Sequence, residues 1–294
     1  MRIIVTIPAY NEEKTIGEVI GSIHQVMKSS RYSYKILVVD DGSKDNTVKV
    51  AKKLNAIVYS HPKNYGLAEA FKTEIKKALG LKADVIVHID ADFQYLPKEI
   101  PKLLNEINNG YDLVLGSRFK GKIESMSLIK RLGNKAFSRV ISNVTGLRIS
   151  DGQTGFRAFT KEVAEKIDII SSHTYTQEQI IKAVKEKFRV KEVPVYFARR
   201  KDESRLISNP FGYAARAWFN LVRLYRDYEP LKFFGVFGIL TFSIGFLIGL
   251  YLVYLHFTSG IVGHFALIVL DILVLSIGFQ IIIFGFLADM LRKY

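Results

Sequence analysis

Residues 1–206 are predicted to form an α/β domain on a mainly parallel sheet flanked by helices, followed by an interface segment and a two-helix hairpin that spans a membrane. Three observations carry this prediction. Apolar, β-branched runs alternate with helix-length segments over residues 1–117, the signature of βαβ units. Polar motifs fall just beyond those runs, where open α/β sheets bind ligands. From Phe233 to Leu270 the chain contains no Asp, Glu, Lys or Arg.

The elements follow in order. IIVTIP (3–8), YKILVVD (34–40), AIVYS (56–60), DVIVHID (84–90) and DLVLGS (112–117) read as strands. Helices are expected near 12–28, 45–54, 66–80 and 97–109, joined to the strands by right-handed crossovers. PAYNEE follows the first strand, DDGSKDNT the second, DADFQ the fourth and GSR the fifth. Ser43, Asp45 and Asn46 are good N-cap residues, and Gly42 permits a positive φ. His88, inside a strand, is expected to be packed rather than ligating.

The last third has a different character. A helix needs about 20 apolar residues to cross a bilayer, and two such stretches, 231–257 and 265–288, flank the short TSGIVGH link. A buried hairpin in a soluble core is disfavoured, because soluble helices of this length keep a polar face. Arg223, Arg226 and Lys232 precede the first crossing, and Arg292 and Lys293 follow the second. The positive-inside rule then puts both termini and the 1–206 domain on the cytoplasmic side of a cell membrane. Segments 127–146 and 207–230 mix Lys and Arg with aliphatic and aromatic residues, a pattern suited to a membrane interface. Asp271 lies within the second crossing, where it would face the first helix or another chain of a homo-oligomer.

Composition narrows the partners. The chain has 294 residues, no cysteine and a net charge of +14. Disulfides and thiolate metal sites are excluded, and a basic balance points to anionic partners. The apolar hairpin favours lipid headgroups and phosphorylated substrates over nucleic acid. The N-terminal MRIIVTIPAYNEE reads as a strand and not as a cleaved signal.

Core packing does not call for carboxylates at a strand end, yet Asp40 closes the second strand, and Asp90 and Asp92 follow the fourth. Two carboxylates in D-x-D on a turn suit a hard divalent cation, which completes its shell with phosphates and water; Gln94 adds a carbonyl oxygen. A capped turn before Pro97 is the structural alternative.

The ordered set PAYNEE, VVDDGSKDNT, NYGLAEA, DADFQ, GSR and DGQTGFRAF resembles the family 2 glycosyltransferases with the GT-A nucleotide-sugar fold, over about residues 1–206. It is most similar to the polyprenyl-phosphate hexosyltransferase branch, which includes the dolichyl-phosphate mannose synthases. The resemblance implies an inverting, metal-dependent hexosyltransferase that uses Mg²⁺ or Mn²⁺. The nucleotide sugar would be GDP-mannose or, alternatively, UDP-glucose, and the acceptor a polyprenyl phosphate. Pro8, Tyr10, Asn11, Glu12 and Asp40 would border the nucleoside. Asp90, Ala91, Asp92 and Gln153 would complete the donor site, with Asp90, Asp92 and Gln94 on the metal. Arg118, Arg131, Arg199, Arg200, Ser204 and Arg205 would meet the acceptor phosphate. Asp92, Asp151 and Arg118 are the candidate catalytic residues; Asp151, which with Gln153 would border the transferred sugar, is the one obvious spare carboxylate in a motif and the candidate if a base is needed, whereas with a phosphate acceptor it would only orient the sugar or a basic partner.

The chain departs from the family pattern at Glu74 and Asp202, where Gly is frequent; the first is expected to be a helix-packing difference. A polymerising synthase with a sugar acceptor is disfavoured, since Q-x-x-R-W is missing and only two crossings are present. A non-enzymatic membrane scaffold would have lost Asp90, Asp92 and Gln94, which are all retained.

Overall fold

A computed structural model describes residues 1–170, 175–199, 219, 222–223, 225–260 and 265–291. The chain divides into two compact units, Met1–Pro210 and Phe211–Tyr294.

In the first unit the elements are β1 (Arg2–Ala9), α1 (Ile16–Lys28), β2 (Ser33–Asp40), α2 (Thr47–Lys53), β3 (Ile57–Ser60), α3 (Leu67–Gly80) and β4 (Val85–His88). After a single 3-10 turn, Pro97–Glu99, come α4 (Ile100–Asn108), β5 (Leu113–Ile123), α5 (Leu128–Thr145), β6 (Arg157–Thr160), α6 (Lys161–Lys166), α7 (Thr176–Lys185) and β7 (Val190–Phe197).

The seven strands form one sheet in the order β3-β2-β1-β4-β6-β5-β7. Four pairings are parallel. The short β6 runs antiparallel to both its neighbours, β4 and β5. The expected mainly parallel sheet is therefore present, with one reversed strand in its middle.

Strand β1 is central, and Ile3, Ile4, Val5 and Ile7 are fully buried. Helices cover a central parallel strand on both faces, so it reads as a continuous apolar run and not as an alternation. Helix α1 buries Ile16, Val19, Ile20, Ile23 and Met27, spaced as one helical face, against this sheet. Burying one such side chain contributes about 1.5–3 kcal/mol relative to leaving it exposed.

Two local expectations change. Helix α1 starts at Ile16 and not near residue 12, because Asn11 takes a left-handed φ of 55° and the backbone turns through Glu12 before the helix begins. At α2, Asn46 makes no side-chain cap bond; Asp45 Oδ1 instead accepts from Thr47 N at 3.0 Å. Ser43, the third candidate cap, faces the β1 loop.

The second unit contains α8 (Pro230–Ser259) and α9 (Phe265–Met290), both long and apolar enough to cross a membrane. Four residues preceding α8, 225–228, are helical, while most of the 207–230 segment lies outside the described residues. The buried positions repeat every seven residues: Gly238, Gly245 and Leu252 on α8, and Asp271, Gly278 and Gly285 on α9. A Cβ at Gly278 would sit 2.6 Å from the backbone nitrogen of Phe242, so the glycines are what let the helices approach. Asp271 faces the first helix at Gly249, its Oδ2 3.2 Å from where a Cβ would lie.

Candidate active site at the carboxyl edge of the sheet

Strands β1 and β2 end in register, Pro8 opposite Val39 and Ala9 opposite Asp40. Their loops are laced together beyond that point. Asn11 N donates to Ser43 Oγ at 2.8 Å, Lys44 N to Asn11 Oδ1 at 2.8 Å, and Glu12 N to Thr47 Oγ1 at 2.8 Å. Asp40 is buried and accepts from Ser43 N at 3.1 Å, while Tyr10 remains 39% exposed. Gly42, at φ 78°, is needed: a Cβ there would lie 2.6 Å from the Lys63 carbonyl carbon. Asp41, not singled out from sequence, holds the third loop. Its Oδ1 accepts from Tyr65 N at 3.0 Å and its Oδ2 from Gly66 N at 2.8 Å, with His61 Nδ1 2.7 Å from Oδ1. The paired acids of DDG thus divide, Asp41 toward NYG and Asp40 toward its own turn.

After β4 the chain makes a tight turn through DADFQ, with Phe93 at φ 60°. The Asp90 side chain is 32% exposed, and His88 Nε2 lies 3.9 Å from its Oδ1. Asp92 Oδ1 accepts from Gln94 N at 3.1 Å. Gln94 clamps this turn to the end of β7, its side-chain Nε2 donating to Ala198 O at 3.3 Å and its backbone carbonyl accepting from Ala198 N at 2.9 Å. Its amide nitrogen is thereby committed to the clamp, while the amide oxygen is the atom a metal would use. Among the described residues no group of three or more His, Asp or Glu side chains forms a closed metal cage. Asp90 and Asp92 are the two carboxylates that this turn carries, and Mg²⁺ ordinarily takes one or two protein carboxylates plus phosphate and water.

Strand β6 explains how DGQTGF reaches this edge. Because β6 is reversed, its first residue, Arg157, pairs with His88 near the end of β4 and with Leu115 of β5. The loop before it, 151–156, therefore emerges where the parallel strands end. A Cβ at Gly155 would lie 2.7 Å from Asp90 Oδ2. This glycine leaves the room in which the Asp90 carboxylate sits.

On the other side, the β5–β7 register shifts between Ser117 and Lys122. An irregularity of this kind re-aims side chains, and here it carries Arg118. Arg118 Nε and Nη2 donate to Asp151 Oδ2 and Oδ1, both at 2.7 Å, and Arg118 N donates to Oδ2 at 2.9 Å. Asp151 is fully buried and Arg118 nearly so. Burial works against the Arg118 charge, but Tyr95, Asp151 and Asp90 outweigh it and raise the guanidinium pKa above its usual range. Asp151 is therefore not the spare carboxylate expected from sequence, since both its oxygens are engaged by one arginine. Glu192 on β7, also missed, supports the turn from below: its carboxylate accepts from Ser150 N at 2.9 Å and Asp151 N at 2.8 Å. A single acid in the β7 run VKEVPVYF was the only sequence signal.

Helix α5 packs beside this loop, with Ser138 Oγ accepting from Gly152 N at 3.0 Å. It buries Asn134, Phe137, Ser138 and Ile141. Leu128, Ile129 and Leu132 are exposed, and Arg131 is exposed with them. The apolar residues of 127–146 thus split between core and solvent. Gln153 is half-buried in the same loop. Arg199 is exposed, its backbone nitrogen held by Glu124 Oε2 at 2.7 Å. Arg200, Ser204 and Arg205 lie outside the described residues.

A seven-stranded sheet with one reversed strand, and paired carboxylates beyond its carboxyl edge, defines a GT-A-like glycosyltransferase domain. The same fold is seen in glucosyl-3-phosphoglycerate synthase from Mycobacterium tuberculosis, solved in complex with Mn²⁺, UDP and phosphoglyceric acid. The likeness has a TM-score of 0.60 at 20% identity over 76% of this chain and 77% of that one. The chain belongs to glycosyl transferase family 2, whose model matches residues 4–168. It is 35% identical to a UDP-N-acetylglucosamine–dolichyl-phosphate N-acetylglucosaminyltransferase of Methanococcus voltae, over 66% of this chain and 84% of the relative. It is 32% identical to a dolichyl-phosphate hexose transferase of Haloferax volcanii, over 75% and 92%. A dolichol-phosphate mannosyltransferase of Pyrococcus furiosus is 32% identical over 81% of this chain and 69% of its own length.

Proposed function

We propose that this chain is a membrane-anchored, inverting hexosyltransferase that moves mannose from GDP-mannose onto a polyprenyl phosphate. The observation that carries the reading is the half-buried Asp90 and Asp92 on the turn after β4, with the buried Arg118–Asp151 pair close enough for Asp90 to act on the Arg118 charge. The relatives named for dolichyl-phosphate transfer, and the two apolar helices of the second unit, support a lipid acceptor.

Asp90 and Asp92, with the Gln94 amide oxygen, would hold Mg²⁺ or Mn²⁺, which supplies Lewis-acid stabilisation of the departing diphosphate. Asp40 would accept hydrogen bonds from the nucleoside, beside Pro8, Tyr10, Asn11 and Glu12. Ala91 and Gln153 would border the donor. Asp151 holds Arg118 at a fixed angle, and Arg118 stabilises negative charge near the reacting phosphates. An acceptor phosphate is already anionic, so no base is required; an oxygen of the lipid phosphate attacks the anomeric carbon as the bond to the nucleotide diphosphate breaks. Arg131 and Arg199, with Arg200, Ser204 and Arg205, would orient that phosphate. The hairpin would keep the active domain, and both termini, on the cytoplasmic face.

A second reading, a UDP-sugar donor, is favoured by the Methanococcus voltae relative. Full-length protein offered GDP-mannose, UDP-glucose and UDP-N-acetylglucosamine with a short polyprenyl phosphate, and the lipid product weighed by mass spectrometry, tests both. A mannosyl phospholipid is expected. A product only from a UDP-sugar would establish the second reading, and no lipid product from any donor would overturn the class.

A further inference from the structure

The departure from the family pattern at Glu74 is not a packing difference. Glu74 lies on α3 and is fully buried. Its Oε2 accepts from Thr6 Oγ1 of β1 at 2.8 Å and faces His88 Nδ1 of β4 at 2.6 Å. One hydrogen bond thus ties this edge of the ring to α3. The other ring nitrogen, Nε2, is 2.7 Å from the hydroxyl of Tyr175, the residue that precedes α7. The Tyr175 ring is held in turn. It stacks on Phe71 with centroids 3.8 Å apart, and the buried Arg157 guanidinium carbon lies over it, 5.1 Å from its centroid. Thr6, His88, Tyr175 and Arg157 are, like Glu74, closed to solvent or nearly so.

A core built for stability alone has no use for this arrangement. Replacing a buried polar cluster by apolar side chains is often neutral or stabilising, because desolvation offsets the hydrogen bonds. This cluster is also incompletely satisfied, since neither Glu74 Oε1 nor Arg157 Nε has a hydrogen-bond partner. What it does is fix one edge of His88. Asp90 follows His88 by two residues, just past the end of β4. The imidazole Nε2, already bonded to Tyr175, sits 3.9 Å from Asp90 Oδ1, beyond hydrogen-bond reach, so the held ring acts as a wall against which the carboxylate packs. On the other flank, Gly155 leaves only carboxylate-sized room beside Asp90 Oδ2.

We infer that Glu74, His88 and Tyr175 form a positioning relay that sets the angle of the Asp90 carboxylate, which makes Glu74 and Tyr175 positioning residues for the donor diphosphate and its cation. The inference rests on the Asp90–Asp92 assignment above. The relay also joins α3, which follows the NYG loop, and the start of α7 to the strand that carries Asp90.

The test uses full-length protein in detergent, with Glu74→Gln and Tyr175→Phe. Tyr175→Phe removes one hydroxyl and keeps the stacked ring, so it is the variant least able to fail by misfolding. Mn²⁺ affinity is read by electron paramagnetic resonance in the presence of GDP or UDP, beside thermal unfolding and steady-state kinetics. Residues that orient a metal ligand typically change affinity by about tenfold or more when removed. The expected result is an Mn²⁺ affinity about tenfold weaker in each variant, with kcat falling alongside and the KM for polyprenyl phosphate unchanged. Unaltered Mn²⁺ affinity in Tyr175→Phe, or a lowered unfolding temperature in Glu74→Gln as its only defect, would overturn the relay and leave the metal site standing. Failure of the wild-type protein to bind Mn²⁺ with either nucleotide would instead remove the metal site, and the relay with it.

Discussion

Arg118 and Asp151 face each other through two parallel hydrogen bonds of 2.7 Å, with a third from the Arg118 backbone, in a place closed to water. Removing one partner of such a pair strands the other as a buried charge, at a cost of about 3–5 kcal/mol. Arg118→Ala is therefore expected to lower the unfolding temperature and to abolish transfer. Arg118→Lys keeps the charge but not the planar fork, so only part of each should return. Calorimetry beside a transfer assay checks this. A wild-type unfolding temperature in Arg118→Ala would mean that Asp151 finds another partner.

Asp90→Ala and Asp92→Ala should each reduce transfer to background while the protein stays folded, because the loss falls on a partly exposed pair and not on the core. Chelation of divalent ions should do the same to the wild-type protein, reversibly. Near-normal turnover of either variant in Mn²⁺ would contradict the metal assignment.

Gly155→Ala isolates the angle of Asp90 from its charge. The added methyl would sit 2.7 Å from Asp90 Oδ2, and the side-chain carboxylate is the group free to yield. The expected outcome is a folded protein with weakened Mn²⁺ binding and slower transfer. Unchanged binding would show that the angle of the Asp90 carboxylate does not govern the cation.

How much of this could be read from the chain depended on range. Strand–helix alternation is local, and β1, β2, β4 and the start of β5 were placed within a few residues. The D-x-D pair was legible because carboxylates at the end of an apolar run are out of place. Strand β6 was not, since RAFT is four residues long and its reversed direction is set by β4 and β5 on either side. Glu192 and Asp41 were missed, and the partners of Glu74 were not legible, for the same reason: each acts on groups far along the chain, such as Ser150, Tyr65 and His88. The Arg118–Asp151 pairing could not be chosen among the alternatives for Asp151, because a motif shows which residues are present but not which two are paired.

Arg131→Ala should raise the concentration of polyprenyl phosphate needed, or lower turnover, while nucleotide affinity stays within a few-fold. A lost charged hydrogen bond is worth about 1.5–3 kcal/mol, or about ten- to a hundredfold in rate. Arg131→Lys should recover part of the loss. Equal damage to nucleotide binding would place Arg131 on the donor side, and an effect that disappears with a short acceptor in detergent would assign it to headgroup contact.

Gly278→Val should splay the hairpin, because its first carbon would meet the Phe242 backbone at 2.6 Å and backbone cannot step aside. Cysteines introduced in pairs along α8 and α9 should cross-link in the parent chain and fail to do so in the variant.

The seven-residue repeat of Gly238, Gly245 and Leu252 against Asp271, Gly278 and Gly285 makes the length of the anchor a quantised property. One residue inserted into a helix turns everything beyond it by about 100°, which would swing the next glycine off the seam and drive a side chain into the gap. A whole repeat returns each glycine to its place and adds about 10 Å. A hairpin of this kind set in a bilayer would thus be fitted to a thicker or thinner one in steps of that size, and finer adjustment would come from tilt.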